Sequence, residues 1–304
     1  MTAEISVITC SYDPRPDYLA QVVDALQKQT LDQSRWEYLL IDNSSQEPLE
    51  TRVDLSWHSN ARHIREGELG LTHARLRGIR EAAGDILVFV DDDNVLDEDY
   101  LDEVVRVGRK WPRLGAWGGQ TRPGFESEPP EWTRQYWSRL VIREFDSDRW
   151  SNQPSQADTM PCGAGMCVRK PVGVYYADLH ASGQRNIIMD RSGDSLVSGG
   201  DSDLAICACD IGLGMGLFTS LKLTHLIPAD RLTEDYLARL LEGLAYSSIV
   251  LNSFRSTNGR DGRTVSTSLA DIGRLLIRDR RGRRFFRAIR SGEQQAVRFL
   301  NQTP

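Results

Sequence analysis

The chain has 304 residues, 40% of them hydrophobic and 26% charged, with a formal net charge of −6. This length allows one large domain or two small ones, and the composition is that of a globular protein able to bury an ordinary core. The acidic balance excludes a general nucleic-acid binder. The charge is uneven, however: residues 255–304 carry twelve arginines, no lysine and four acidic residues, a net +8 against −14 for the rest. Such asymmetry marks an interacting tail. The five cysteines (Cys10, Cys162, Cys167, Cys207, Cys209) are odd in number and fit neither a zinc site nor a disulfide framework, so reduced, buried thiols are expected. The N-terminus lacks a basic stretch followed by an apolar core, and no apolar run approaches the ~20 residues of a membrane span. A cytoplasmic protein is expected, with the inner face of the membrane as a surface it can touch.

In chain order, residues 4–10 read as a first strand, broken by Ser11, Tyr12, Asp13 and Pro14. Residues 16–30 have helical spacing, with Leu19, Val22, Val23 and Leu26 on one side. Residues 36–42 form a second apolar run, ended by Asn43, Ser44 and Ser45, and 62–65 have room for a short third strand. Residues 70–83 predict a helix stopped by Gly84. Ile86, Leu87, Val88, Phe89 and Val90 then form a buried strand that ends in Asp91, Asp92 and Asp93. Strands alternating with helices at this pitch predict βαβ units and a mainly parallel sheet, whose strand ends gather Tyr12, Asp42 and the 91–93 carboxylates on one edge.

Three adjacent carboxylates repel one another. A divalent cation with hard oxygen ligands, Mg²⁺ or Mn²⁺, is the simplest reason to hold them together; an acidic turn capping the next helix at Asp97 or Asp99 is the alternative. No Gly-x-Gly-x-x-Gly follows the first strand and no P-loop occurs, so neither a Rossmann dinucleotide site nor a phosphate loop is predicted.

Residues 123–160 contain Pro123, Gly124, Pro129, Pro130 and Pro154, which mark loops. Between them, Trp132, Tyr136 and Leu140 recur at helical spacing. These aromatics either pack on the core or offer a ligand a stacking platform, Trp132 first among them. Residues 160–166 predict a strand whose glycines, Gly163 included, let backbone approach a ligand closely. The Gly/Ser-rich stretch 190–200 predicts a loop able to order over a bound ligand. Asp201 precedes an apolar helical pattern and reads by itself as a helix cap, with Asp203 two residues on. Residues 231–251 predict a helix. Two readings fit the arginine-rich apolar pattern of 266–304: peripheral contact with an anionic membrane, or a helical appendage docked on protein.

Several motifs in order resemble family 2 glycosyltransferases. They are residues 6–12 (SVITCSY), Gln29 and Thr30, residues 41–45 (IDNSS), residues 70–75 (GLTHAR) with Gly78 and Ile79, residues 90–93 (VDDD), residues 199–204 (GGDSDL) and residues 224–228 (THLIP). The resemblance covers about residues 4–250. It implies an α/β GT-A fold, a Rossmann-like mixed sheet, with residues 1–250 catalytic (1–122 for the nucleotide, 123–230 for the acceptor) and 251–304 a basic helical extension. It also implies roles. Ser11, Tyr12, Asp42, Arg75, Asp91 and Asp92 would bind the donor, Tyr12 packing on the nucleobase and Asp42 accepting its imide N–H. Asp93, Asp91 and His225 would hold Mn²⁺ or Mg²⁺. Asp201 would be the general base, and Trp132, Gly163 and Asp203 would meet the acceptor. The expected activity is metal-dependent, inverting transfer of a sugar from a nucleotide-diphosphate donor, a UDP-sugar first, to a glycan or lipid-linked acceptor in polysaccharide or glycoconjugate synthesis. One departure stands out: Gly200 occupies the place of the usual Glu before the base. It keeps open a non-catalytic sugar-nucleotide-binding scaffold; a nucleotidyltransferase, which also uses a metal carboxylate and a nucleoside diphosphate group, is a further alternative.

Overall fold

The computed structural model describes residues 3–185, 189–190, 196–255 and 278–302. Among them are nine strands: β1 (Ile5–Ser11), β2 (Trp36–Asp42), β3 (Ala61–Arg65), β4 (Ile86–Phe89), β5 (Asn94–Leu96), β6 (Leu114–Phe125), β7 (Arg149–Ser151), β8 (Met166–Arg169) and β9 (Gly214–Ile227). The seven α-helices are α1 (Pro16–Gln27), α2 (Leu71–Glu81), α3 (Tyr100–Lys110), α4 (Lys170–Ala181), α5 (Gly200–Asp210), α6 (Glu234–Ser253) and α7 (Arg280–Gln302). All strands join one sheet in the order β3-β2-β1-β4-β8-β6-β9-β5, with β7 on β9.

The first half follows from the apolar runs. Every residue of β2 and β4 is buried, as strands covered by helices on both faces require. β2 and β4 flank β1, and all of β1 to β4 run parallel. The expectation of a mainly parallel sheet holds only in part in the second half: β6 and β9 pair parallel, while β5, β7 and β8 run antiparallel to their neighbours. β8 returns antiparallel to β4, and β6 antiparallel to β8, because 126–165 is a long excursion rather than a helical crossover. The expected strand at 160–166 is shifted: it begins at Met166, and the glycines before it form a loop.

α7 packs against α6. Phe285, Phe286, Ala296, Val297 and Leu300 are buried. Arg281 pairs with Glu234 at 2.7 Å, Arg284 with Asp235, and Ser291 Oγ donates to Glu242 Oε1 at 2.6 Å. An apolar face free for membrane insertion is therefore corrected for the described part of 266–304, since protein covers it; Arg283, Arg287 and Arg298 point outward. Residues 266–277 lie outside the described residues. The two backbones meet closely at Gly292, where an added Cβ would stand 2.9 Å from the carbonyl carbon of Glu242. Gly292→Leu is expected to cost about 1–3 kcal/mol by overpacking. A urea midpoint equal to that of the unmutated protein would contradict this packing.

Candidate active site

Parallel strands deliver their C-terminal ends to one edge, and a cleft of about 350 Å³ opens there. β1 ends at buried Ser11, and the next residue, Tyr12, stands 48% exposed at the cleft wall. β4 runs out into residues 91–93. β5 pairs antiparallel with β9, and the register sets Asn94 opposite His225, which brings Asp93 beside that imidazole. β8 begins beside the end of β4, so Gly163 and Ala164 join the lining. The N-terminus of α5 supplies Asp201 and the turn after β9 supplies Arg231. Val141, a β-branched residue at φ 64°, also lines the cleft, a strained backbone of the kind that clusters at functional sites.

The carboxylates are crowded and short of positive charge. Ser11 Oγ donates to Asp92 Oδ2. Burial, and after it the neighbouring Asp93, pushes the Asp92 carboxyl up to about 7. Burial also raises Asp91, opposed by Arg75 and reinforced by Asp93. Asp93 Oδ2 accepts from Arg231 Nη1 at 3.0 Å and lies 3.3 Å from His225 Nε2. His225 Nδ1 is 3.0 Å from the Leu140 carbonyl, which can only accept, so Nδ1 carries the proton. Nε2 then presents a lone pair to the cleft, where Arg231 Nη1 approaches it at 3.1 Å.

This donor chemistry fits a divalent cation. Hard carboxylate oxygens, an imidazole lone pair oriented by a backbone carbonyl, and under-compensated buried negative charge are what such an ion requires. Among the described residues no three His, Cys, Asp or Glu side chains already stand in a coordination cage. Mg²⁺-type sites are commonly completed by substrate phosphates rather than by protein alone.

On the other side of the cleft lining, both oxygens of Asp201 are oriented by backbone: Gly163 N–H donates to Oδ2 at 2.8 Å and Ser202 N–H to Oδ1 at 2.7 Å. Arg75 is buried at 4% exposure, with Nη1 at 2.9 Å from both oxygens of Asp190.

The family model of glycosyl transferase family 2 matches residues 6–170, more than half the chain. The chain belongs to glycosyl transferase family 2. No curated protein matches it. Among solved structures, residues 1–349 of S. aureus TarS share 13% identity at a TM-score of 0.53, over 98% of this chain and 90% of that one. The same TarS fragment is also solved with UDP-GlcNAc. A mannosyltransferase from Pyrobaculum calidifontis, solved with GDP-Man and Mn²⁺, shares 16% identity at a TM-score of 0.56, over 99% of this chain and 74% of that one. At these identities the likeness shows the GT-A fold, which the mixed sheet shares.

Within this glycosyltransferase, most expected site residues meet at the cleft: Ser11, Tyr12, Arg75, residues 91–93, Gly163, Asp201 and His225 all line it. Three do not. Asp42 turns into its own loop, accepting from Ser45 N–H at 2.9 Å, Leu49 N–H at 3.2 Å and Arg65 Nη1 at 2.6 Å. Its neighbour Asn43 lines the cleft instead, fixed by Glu68 and Gly70 backbone. Asp203, expected near the acceptor, is corrected to a structural anchor. It is 2% exposed and takes Arg185 at 2.8 Å and Arg255 at 2.7 Å, tying α5 to the ends of α4 and α6. Trp132, expected as an acceptor platform, is likewise corrected: it packs on Phe285 of α7, and Arg281 stacks 4.0 Å over its ring. Gly163 makes room for protein rather than for sugar alone, since an added Cβ would stand 3.0 Å from Arg75 Nη2.

Sequence reasoning missed Arg231, Asn43 and Asp190. Arg231 follows the Pro228 turn with nothing in its spacing to mark it. Asn43 sits in the predicted turn, but the resemblance and the strand end pointed to Asp42. Asp190 had one signal, the missing side chain at Gly200.

Proposed function

We propose that this glycosyltransferase is metal-dependent and inverting, and that it moves a sugar from a nucleoside diphosphate, uridine first, to a hydroxyl of a glycan or lipid-linked acceptor in polysaccharide or glycoconjugate synthesis. The observation that carries this reading is one cleft lined by Tyr12, the 91–93 carboxylates, Arg231 and Asp201. The UDP-GlcNAc and GDP-Man held by solved structures of similar fold support a nucleotide-sugar donor.

In this reading Tyr12 packs on the base, Asn43 borders it, and Asp42 with Arg65 shapes the loop behind. Asp93, Asp91 and His225 would hold Mn²⁺ or Mg²⁺, which would supply positive charge for the leaving diphosphate. Arg231 adds a fixed guanidinium to the same end of the cleft. Breaking the sugar–phosphate bond gives an oxocarbenium-like centre, and a hydroxyl attacks it better when a carboxylate takes its proton. Asp201 is that carboxylate. Among the described lining residues it is the one carboxylate outside the 91–93 run, which favours single displacement with inversion over a covalent intermediate on a second one.

The acceptor side is carried by position alone: Gly163 bonds Asp201, and Val141 and Ser198 line the same cleft. No described helix is long and apolar enough to cross a membrane. A lipid-linked acceptor would be met through the outward arginines of α7, a contact that salt weakens.

Calorimetric titration of UDP and GDP, each with Mn²⁺, tests the donor half. Uridine selectivity is expected, and equal or absent binding would contradict it. Arg231→Gln is expected to weaken the preferred nucleotide about tenfold or more, the loss of one charge-assisted hydrogen bond. Unchanged affinity would remove Arg231 from the donor site.

A further inference from the structure

Gly200 stands at the first position of α5, immediately before Asp201, and its backbone is not in the left-handed region. Conformation therefore does not demand glycine there; space does. A Cβ at 200 would lie 2.6 Å from Cγ and 2.7 Å from Oδ1 of Asp190. The Asp190 carboxylate thus fills the volume that a side chain at 200 would enter, and Gly200 N–H donates to the Met189 carbonyl at 3.1 Å to hold the two segments together.

Asp190 is 4% exposed and fully engaged. Both its oxygens lie 2.9 Å from Arg75 Nη1, and Thr72 Oγ1 donates to Oδ2 at 2.9 Å. The guanidinium is held by one edge. Its Nη2 edge lies beneath Gly163, whose N–H bonds Asp201. Arg75 therefore bridges Asp190 behind the cleft and the Asp201 loop within it, and it shares its charge with Asp91. A buried arginine left without its carboxylate would either leave this position or pair with Asp91 or Asp201, disabling whichever it took.

We propose that Asp190 is a positioning residue that supplies from a different segment the carboxylate absent at Gly200, holding the Arg75 guanidinium in the cleft wall beside Gly163, where it meets the donor. The inference rests on the transfer reading for the identity of the ligand, but the carboxylate exchange itself does not. It makes a carboxylate at 190 and one at 200 mutually exclusive: either serves Arg75, and both together clash.

The test is a swap. Asp190→Ala is expected to lower affinity for UDP with Mn²⁺, and donor kcat/KM, by at least about tenfold, the worth of one charge-assisted contact. Asp190→Asn keeps the side-chain shape and is expected to show the same loss with a folded circular-dichroism spectrum. Gly200→Glu alone is expected to lose activity through the clash. The double variant Asp190→Ala/Gly200→Glu is expected to recover most of the affinity, with the introduced carboxylate on the Arg75 guanidinium in its crystal structure. A folded Asp190→Asn with unchanged affinity would overturn the proposal. So would a double variant whose new carboxylate lies away from Arg75. A wild-type protein that transfers no sugar from any donor would end the transfer reading and leave this exchange to be decided by the double variant's structure.

Discussion

Asp201→Asn is expected to lower turnover by about 10²–10⁴-fold, the usual contribution of a general base, while the donor still binds. The acceptor hydroxyl must lose its proton as it attacks, and the amide cannot take it. In the proposed reading the donor is held elsewhere, by Tyr12, the 91–93 carboxylates and Arg231, which line the same cleft. The substitution is not silent for the fold. Asp201 accepts Gly163 N–H on one oxygen and Ser202 N–H on the other, so the amide turns an NH₂ toward one of two donors. That lost bond costs about 1–3 kcal/mol of stability. Turnover and nucleotide affinity therefore need separate measurement at a temperature where the variant is folded. Turnover equal to wild type would remove Asp201 as the base, and loss of nucleotide binding would move it to the donor side.

Asp93→Asn is expected to have the second large effect, a fall of about 10²–10³-fold in kcat/KM, the scale for removing one group that stabilises developing charge. Asp93 is where Arg231 and His225 converge, so its charge organises that end of the cleft. The same variant is expected to lose the gain in UDP affinity that Mn²⁺ gives. Asp92→Asn is the contrast. Asp92 accepts from Ser11 Oγ, whereas Arg231 and His225 meet at Asp93, and Asp92 is not assigned to the cation. Its conversion to an amide is expected to cost less than that of Asp93. Equal losses at 92 and 93, or Mn²⁺-independent affinity in wild type, would contradict the assignment of the cation to Asp93.

The parts of the fold that could be read in advance are those whose residues carry the strongest local signal. β4 is an unbroken apolar run, β1 and β2 are mostly apolar, and each is a buried strand within a residue or so of the expected bounds. The carboxylates that end β4 were legible for the same reason: charge placed against a buried strand end needs a purpose. β6 was not legible. Gly115, Gly118, Gly119, Pro123 and Gly124 deprive it of strand propensity, and its pairing with β9 shifts register twice. It is a strand because long-range pairing overrides that preference. An added Cβ at Gly119 would meet the Leu221 carbonyl carbon at 2.6 Å, so the glycine that obscures β6 in sequence is what lets the strands approach.

The aromatic segment failed differently. Trp132 and Tyr136 have α-helical spacing; the segment is a 3₁₀ helix (Glu131–Leu140), and both rings meet Phe285. Spacing could not say whether they meet a ligand or Phe285 of α7, because the partner lies about 150 residues away in sequence. Asp203 failed for the same reason: its partners Arg185 and Arg255 come from two distant segments. Asp201, two residues earlier on α5, reaches the cleft because it lies at the helix start beside Gly163. Neighbouring carboxylates in one motif thus take different fates according to helical phase, which the motif alone did not reveal.

The most direct test is the identity of the product released from a panel of sugar nucleotides, incubated with and without Mn²⁺ and with a hydroxyl acceptor. Release of a nucleoside diphosphate, dependent on Mn²⁺ and abolished in Asp201→Asn, with the new glycosidic bond inverted relative to the donor, is the predicted result. Release of pyrophosphate, or retained anomeric configuration in the product, would contradict it.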